Sequence, residues 1–208
     1  MRIDVWADVV CPWCAIGHHR LHSALREAGI AAEVVPRAFQ LEPQRGAPQP
    51  SRDALRRKYG PSADAMMRHV RELAAADGLE LRTEEAVSAN TFDAHRLVAL
   101  ARRAGKGPAM LDRLFQAHFR EGRDVSDAAT LGALAGEVGL PGGDVAALLQ
   151  GRDGAPEVEH DVAEARRMGV SGVPFFVFDG RVALSGAQSM DVFRRTLAEL
   201  SGGTSAGR

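Results

Sequence analysis

The two cysteines of this 208-residue chain stand in one unit, Cys11-Pro12-Trp13-Cys14, between a predicted strand and a predicted helix. They can pair only with each other, with a substrate or with a metal. Upstream, Ile3-Asp4-Val5-Trp6-Ala7 alternates apolar and polar residues, as a half-buried strand does. Downstream, the run from Ala15 to Leu25 has helical spacing, and Gly29 is placed to end it. Cys11 therefore falls at a helix N-terminus, where unpaired N–H groups and the helix dipole favour an anion. The thiolate is the form that attacks disulfides. Pro12 suits the first helical turn, because its missing N–H is no loss there. Cys14 lies about one turn inward on the same face. These positions make Cys11 the candidate nucleophile and Cys14 the candidate resolving thiol, with Pro12 and Trp13 tuning the pair and contacting substrate.

Charge and length narrow the field. A formal net charge of -1 gives no basic excess for nucleic acid or an anionic membrane, so neither is expected as a partner. No apolar run is long enough to span a bilayer. The first strand begins next to Met1, which leaves no room for a secretory signal and predicts a cytoplasmic protein. In that compartment a C-x-x-C unit points to catalysis or metal binding rather than to a structural staple. Zinc normally takes four ligands, and the chain has no second C-x-x-C, so no metal site is assigned.

The ends of the chain read as α/β and its middle as helical. Residues 32–39 form a second strand, and Pro36 within it predicts an edge or a bulge. Residues 43–51 are rich in proline, glycine and polar side chains, a boundary signal. Helices follow from Ser62 to Asp77, from Thr91 to Ala104, after Pro108, after Ser126 or Asp127, and around 144–149. Near Pro156 another helix leads to Gly169. The run Val173–Phe178 reads as a strand buried on both faces. Asp179-Gly180 is a hairpin turn, residues 181–185 return as the partner strand, and Ser189 opens the last helix. Without the middle block the order is β-α-β-α-β-β-α. The fold class is thus α/β, a thioredoxin arrangement interrupted by an all-helical insertion. The reading assigns 1–43 and 156–201 to a discontinuous thioredoxin-like domain, 51–155 to the insertion and 202–208 to a disordered tail.

A second site opens the buried strand. Val173-Pro174 is an X-Pro bond at a strand start, a position that permits a cis peptide. Together with the cysteine unit it carries a resemblance. Asp8-Val9-Val10-Cys11-Pro12-Trp13-Cys14, Phe39-Gln40-Leu41, Asn90-Thr91 with Ala94-His95-Arg96-Leu97, Gly172-Val173-Pro174-Phe175-Phe176 and Ser185-Gly186-Ala187-Gln188 run through nearly the whole chain. In order and placement they resemble the DsbA-like branch of the thioredoxin superfamily, and within it the FrnE-like proteins. The resemblance implies disulfide oxidoreductase activity, a cis Pro174, and a loop at Val173 and Pro174 that faces the cysteines and pairs with an extended substrate. It also brings Asn90 and Thr91 close to the cysteine pair, although both have an ordinary reading as helix caps.

A sister group, the glutathione-dependent 2-hydroxychromene-2-carboxylate isomerases and kappa-class glutathione transferases, is similar in layout. Its members usually carry serine where Cys11 stands and lack the second thiol. The departure favours thiol exchange, with a thiol or disulfide protein or small molecule as substrate and glutathione as a candidate redox partner rather than a resident cofactor. A glutathione-dependent isomerase or transferase acting on small aromatic substrates is the alternative, and a metal-binding or holdase-type module the third reading. A homodimer is compatible with the sequence. The bland assignments are His18, His19 and His22 as a solvated helix face, His95 as a core or surface residue, His118 as a packing residue, and Ser185 and Gln188 as a strand-to-helix turn.

Overall fold

The computed structural model describes residues 1–202. Of the tail expected over 202–208, Gly202 closes the last helix and the remainder lies outside the described residues. Strand β1 (Arg2–Ala7) leads into helix α1 (Pro12–Ala28) and strand β2 (Glu33–Ala38). A short strand β3 (Gln49–Pro50) and helices α2 (Ser51–Tyr59) and α3 (Ser62–Ala76) follow. Then come β4 (Val87–Ser88), α4 (Phe92–Arg103), α5 (Gly107–Phe119), α6 (Ala128–Glu137) and α7 (Gly142–Gln150). Helix α8 (Ala155–Arg167), strands β5 (Phe175–Phe178) and β6 (Val182–Ser185) and helix α9 (Met190–Gly202) complete the chain.

Four strands form one sheet in the order β2-β1-β5-β6. β1 runs parallel to β2 and antiparallel to β5, with Val5 opposite both Pro36 and Phe176. Pro36 thus sits on an edge strand, where a missing donor costs no ladder bond. Its carbonyl accepts a bond from Arg102 Nη1 at 2.8 Å, which draws α4 over that edge. The Asp179–Gly180 turn has both residues at positive φ, 49° and 67°, and the Arg181 N–H closes it on the Phe178 carbonyl at 2.9 Å, so that three residues join the paired Phe178 and Val182.

Alternation along the strands divides the core. Ile3, Val5, Phe176 and Phe178 meet Leu21, Ala24 and Leu25 of α1 and Phe193 and Leu197 of α9 on one face. Trp6, Phe175 and Val177 meet Ala165 of α8 and Val170 on the other. The sequence reading of β5 as buried on both faces is therefore corrected. Phe176 and Phe178 are fully enclosed, whereas Phe175 and Val177 are only half-buried, because α8 covers that face incompletely.

The insertion is not wholly helical. β3 and β4 form a two-stranded antiparallel ribbon, and the Ser51 N–H bonds the Ala86 carbonyl at 2.9 Å. Helix α2 also goes beyond the sequence reading. Its run Ser-Arg-Asp-Ala-Leu-Arg-Arg-Lys-Tyr holds only three apolar residues, Ala54, Leu55 and Tyr59, and buries none of them fully, so little apolar surface marks it as a helix. At α3 the N-cap position belongs to Pro61 rather than Ser62, whose hydroxyl donates to the Tyr59 carbonyl at 2.7 Å. At α6 Asp127 caps as read, accepting the Thr130 N–H at 2.7 Å.

His18, His19 and His22 do not form the expected solvated face. α5 packs along α1, so His18 is 2% exposed, its Nε2 lying 3.3 Å from Asp112 Oδ1 and its ring against Phe115. It is directed to α5 rather than to the cysteines.

One buried carboxylate ties three layers. Asp161 of α8 accepts Arg37 Nη1 at 2.9 Å, Arg102 Nη1 at 2.7 Å and the Ala38 N–H at 3.1 Å. Its main-chain carbonyl accepts Trp6 Nε1 at 3.0 Å. Replacing Asp161 by Ala removes a carboxylate from two guanidinium groups, leaving Arg37 with Asp4 and Arg102 with only the Pro36 carbonyl. It should cost about 3 kcal/mol or more in urea unfolding, with Asp161→Asn less damaging.

Gly17 decides how closely α1 approaches β5. A Cβ there would stand 2.9 Å from Pro174 Cγ and 3.0 Å from Phe176 Cζ. In a helix, Gly→Ala normally gains up to about 1 kcal/mol, and overpacking costs about 1–3 kcal/mol. Gly132→Ala in α6, where the added methyl meets open space, should therefore raise the melting temperature. Gly17→Ala should not, and the comparison is a thermal melt of the two variants.

Candidate active site

The site forms where β1 ends and α1 begins. Cys11 occupies the N-cap of α1 in extended conformation (φ −92°, ψ 113°), and Pro12 takes the first helical position. The Cys11 carbonyl accepts the N–H groups of Cys14 and Ala15, at 3.0 and 3.2 Å, and the Cys11 N–H bonds the Asp8 carbonyl at 3.0 Å. The turn is thus held on both sides by main-chain bonds. Cys11 and Cys14 are free thiols. Cys11 is 4% exposed and reaches the cavity described below, and Cys14 is sealed beneath it. Burial pushes the Cys14 thiol well up, and the hydrogen bond and charge of Cys11 add to this. The Asp8 N–H, 3.5 Å from Cys14 Sγ, acts in the opposite direction.

The loop before β5 comes to the same point. Cys11 Sγ lies 3.8 Å from the Val173 carbonyl oxygen, to which it donates. The Val173–Pro174 peptide bond is cis. The Pro174 carbonyl accepts the Gly186 N–H at 2.8 Å, which fixes the loop to the segment after β6. Ser185 and Gln188 form the turn expected of them, Gln188 Nε2 donating to the Ser185 carbonyl at 2.6 Å. Arg20 of α1 holds this turn from the other side, bonding the carbonyls of Ala187 and Gln188 at 2.8 and 3.1 Å and Asp77 at 2.6 Å.

Of the remaining sequence candidates, Trp13 is 37% exposed at the cavity mouth. Asn90 and Thr91 divide the two roles considered for them. Asn90 does the capping, its Oδ1 accepting the Phe92 N–H at 2.9 Å and its Nδ2 donating to the Pro43 carbonyl at 3.1 Å. Thr91 makes no side-chain cap bond, is 3% exposed and lines the cavity with Cys11. Trp6 belongs to the core.

Asp8 is a site residue that the sequence reading missed. It is 1% exposed, its Oδ2 accepts the Leu41 N–H at 2.8 Å, and its Oδ1 has no hydrogen-bond partner. His95, expected as a core or surface residue, brings Nε2 to 3.4 Å from Asp8 Oδ1. His118 is enclosed as expected, edge-on to Phe119, and burial lowers its pKa to about 4, so it is neutral at pH 7. It also lines the cavity, which the sequence did not suggest. The available signal for Asp8 was an acid inside the apolar run Ala7–Val10, three residues before Cys11.

Above the cysteines opens a cavity of about 290 Å³. Its wall is built by the 8–13 turn, the 41–45 loop, α2, α3, the segment 83–91 and the end of α5. Among the described residues, no cluster of three or more His, Cys, Asp or Glu is arranged to hold a metal, and no helix is long and apolar enough to cross a membrane.

Comparison with known proteins agrees with this layout. The probable DsbA oxidoreductase SCO1869 from Streptomyces coelicolor superposes with a TM-score of 0.90 at 37% identity, covering 100% of this chain and 93% of that one. The Bacillus subtilis (strain 168) protein YwbO, itself uncharacterized, is 28% identical over 206 residues, 96% of each chain. A 2-hydroxychromene-2-carboxylate isomerase shares the fold at a TM-score of 0.75 and 15% identity, covering 98% of both chains. The family model for the DSBA-like thioredoxin domain matches residues 2–198, and the chain belongs to that family.

Proposed function

We propose that this chain is a thiol–disulfide oxidoreductase working through Cys11 and Cys14, with the Val173–Pro174 loop as the main-chain support for its substrate. The observation that carries the reading is the convergence of Cys11 Sγ and the Val173 carbonyl, 3.8 Å apart, at the edge of the cavity. One sulfur is reachable and the other is sealed, an asymmetry that suits an attacking and a resolving thiol.

In the reducing direction, the Cys11 thiolate attacks one sulfur of the substrate disulfide. A new S–S bond forms to Cys11, the old S–S bond breaks, and the leaving thiolate takes a proton. Cys14 then loses its proton and attacks Cys11 Sγ, closing the Cys11–Cys14 disulfide and releasing the second thiolate. Two electrons pass from protein to substrate. The oxidising direction is the reverse. Asp8 is a buried carboxylate whose charge adds to the raised proton affinity of Cys14. A thiol such as glutathione returns the electron pair in this reading, and no resident cofactor is needed.

Cys11→Ser should abolish exchange with hydroxyethyl disulfide, and Cys14→Ser should accumulate the mixed disulfide, seen by intact-protein mass spectrometry. Normal exchange by Cys11→Ser would overturn the reading. Glutathione-dependent turnover that survives Cys14→Ser would replace it with the isomerase or transferase alternative.

The raised Cys14 pKa sets a pH dependence. At neutral pH the thiol is protonated, so only a small thiolate fraction resolves the mixed disulfide. That fraction grows about tenfold per pH unit until the pKa is passed. Stopped-flow decay of a preformed mixed disulfide should therefore accelerate steadily from about pH 6 to 9. A flat profile, as a depressed pKa would give, would contradict the assignment of Cys14.

A further inference from the structure

The cavity is built for more than access to a sulfur. Among the described residues five large apolar side chains are exposed, and four of them, Trp13, Leu41, Tyr59 and Met66, line it. Scattered exposed apolar residues are ordinary, whereas a concentration around a concave site marks a ligand surface. The volume lies near the lower end of the range for small-molecule sites, about 300 Å³. Leu55 and Met67 deepen the apolar wall. At the floor Asp8 Oδ1 already faces His95 Nε2 at 3.4 Å, and His118 Nδ1 is buried without a hydrogen-bond partner. At the rim two cations, Arg45 and Lys58, share one carboxylate, Glu42, while the second carboxylate of the lining, Asp8, is buried at the floor.

We propose that this cavity selects low-molecular-weight disulfides with an apolar, ring-sized body and a carboxylate toward Arg45 and Lys58. The inference rests on the exchange reading above and names its substrate class. The ring packs among Leu55, Tyr59, Met66 and Met67, and the disulfide lies over Cys11. Cys11 attacks the near sulfur, the S–S bond breaks, the far half leaves as a thiolate, and Cys14 releases the near half. The dithiol loses two electrons and the organic disulfide becomes two thiols. A thiol of the glutathione class returns the electrons.

The test uses the reduced full-length protein and two probes. 5,5′-Dithiobis(2-nitrobenzoate) has rings that each carry a carboxylate and a nitro group, and cystamine is aliphatic and cationic. Single-turnover rates should saturate with the aryl disulfide and rise linearly with cystamine. The readout is selectivity, the ratio of the two second-order rate constants at low probe concentration, corrected for the same ratio with free dithiothreitol. Leu55→Trp, which fills the cavity, should lower it about tenfold or more. Arg45→Ala with Lys58→Ala should lower it about fivefold, and less at high salt. Tyr59→Ala, at a half-exposed position that does not endanger folding, should lower it in the same direction. Met168→Trp, exposed outside the cavity, should leave it unchanged. Unchanged selectivity in Leu55→Trp and Tyr59→Ala would overturn the proposal, because the ring would then lie elsewhere. Loss of exchange with cystamine as well as with the aryl disulfide in the unmodified protein would instead defeat the exchange reading itself.

Discussion

The close seating of α1 on β5 is the contact on which the site depends. Gly17 presents no side chain to Pro174 and Phe176, so the helix settles directly onto the strand start. That approach carries the N-cap of α1 to the loop before β5 and brings Cys11 Sγ to the Val173 carbonyl. Neither side is left free to drift. The helix start is held by main-chain bonds from Asp8 and Cys11, and the loop is held through Pro174 to Gly186. Arg20 links the same helix to the turn after β6. The position of Cys11 Sγ is thus set by the packing of two elements far apart in sequence.

The inserted segment supplies the other half of the site. It is fastened to the sheet by charge-assisted bonds at buried positions, which are stronger and more directional than neutral ones. Asp161 joins α8 to β2 and α4. Arg96 bonds the carbonyls of Leu148, Gly151 and Asp153, holding the end of α7 and the start of α8 against α4. On that frame α2, α3 and the short ribbon extend over the cysteines and close the cavity. The same layer that hides Cys14 from water raises its proton affinity, so burial and reactivity are two consequences of one arrangement.

Much of this was legible along the chain because it is local. The strand–CPWC–helix unit, the Asp179-Gly180 turn, the Pro108 start of α5 and the Asp127 cap each follow from neighbouring residues, and the structure has each of them. The ribbon of β3 and β4 pairs only two residues on each strand, too few to leave an alternating pattern. Helix α2 lies on the surface of the insertion and shows no strong apolar stripe. His18 and His95 looked like surface or packing residues because composition cannot say which helix will lie beside them. α5 covers the first, and the end of β1 brings Asp8 to the second.

The sequence by itself determined the cysteine pair, its place at a helix start, the order of elements around it and the proline that opens β5. Those features depend on backbone propensity and on residues within a turn or two of one another. Tertiary structure alone decided that Asp8 is a buried carboxylate facing His95, that Thr91 lines the cavity while Asn90 caps, and that four exposed apolar residues surround one opening. Each of those facts joins segments tens of residues apart. Burial, electrostatic environment and cavity shape depend on which surfaces meet, and that is set only when the whole chain has packed.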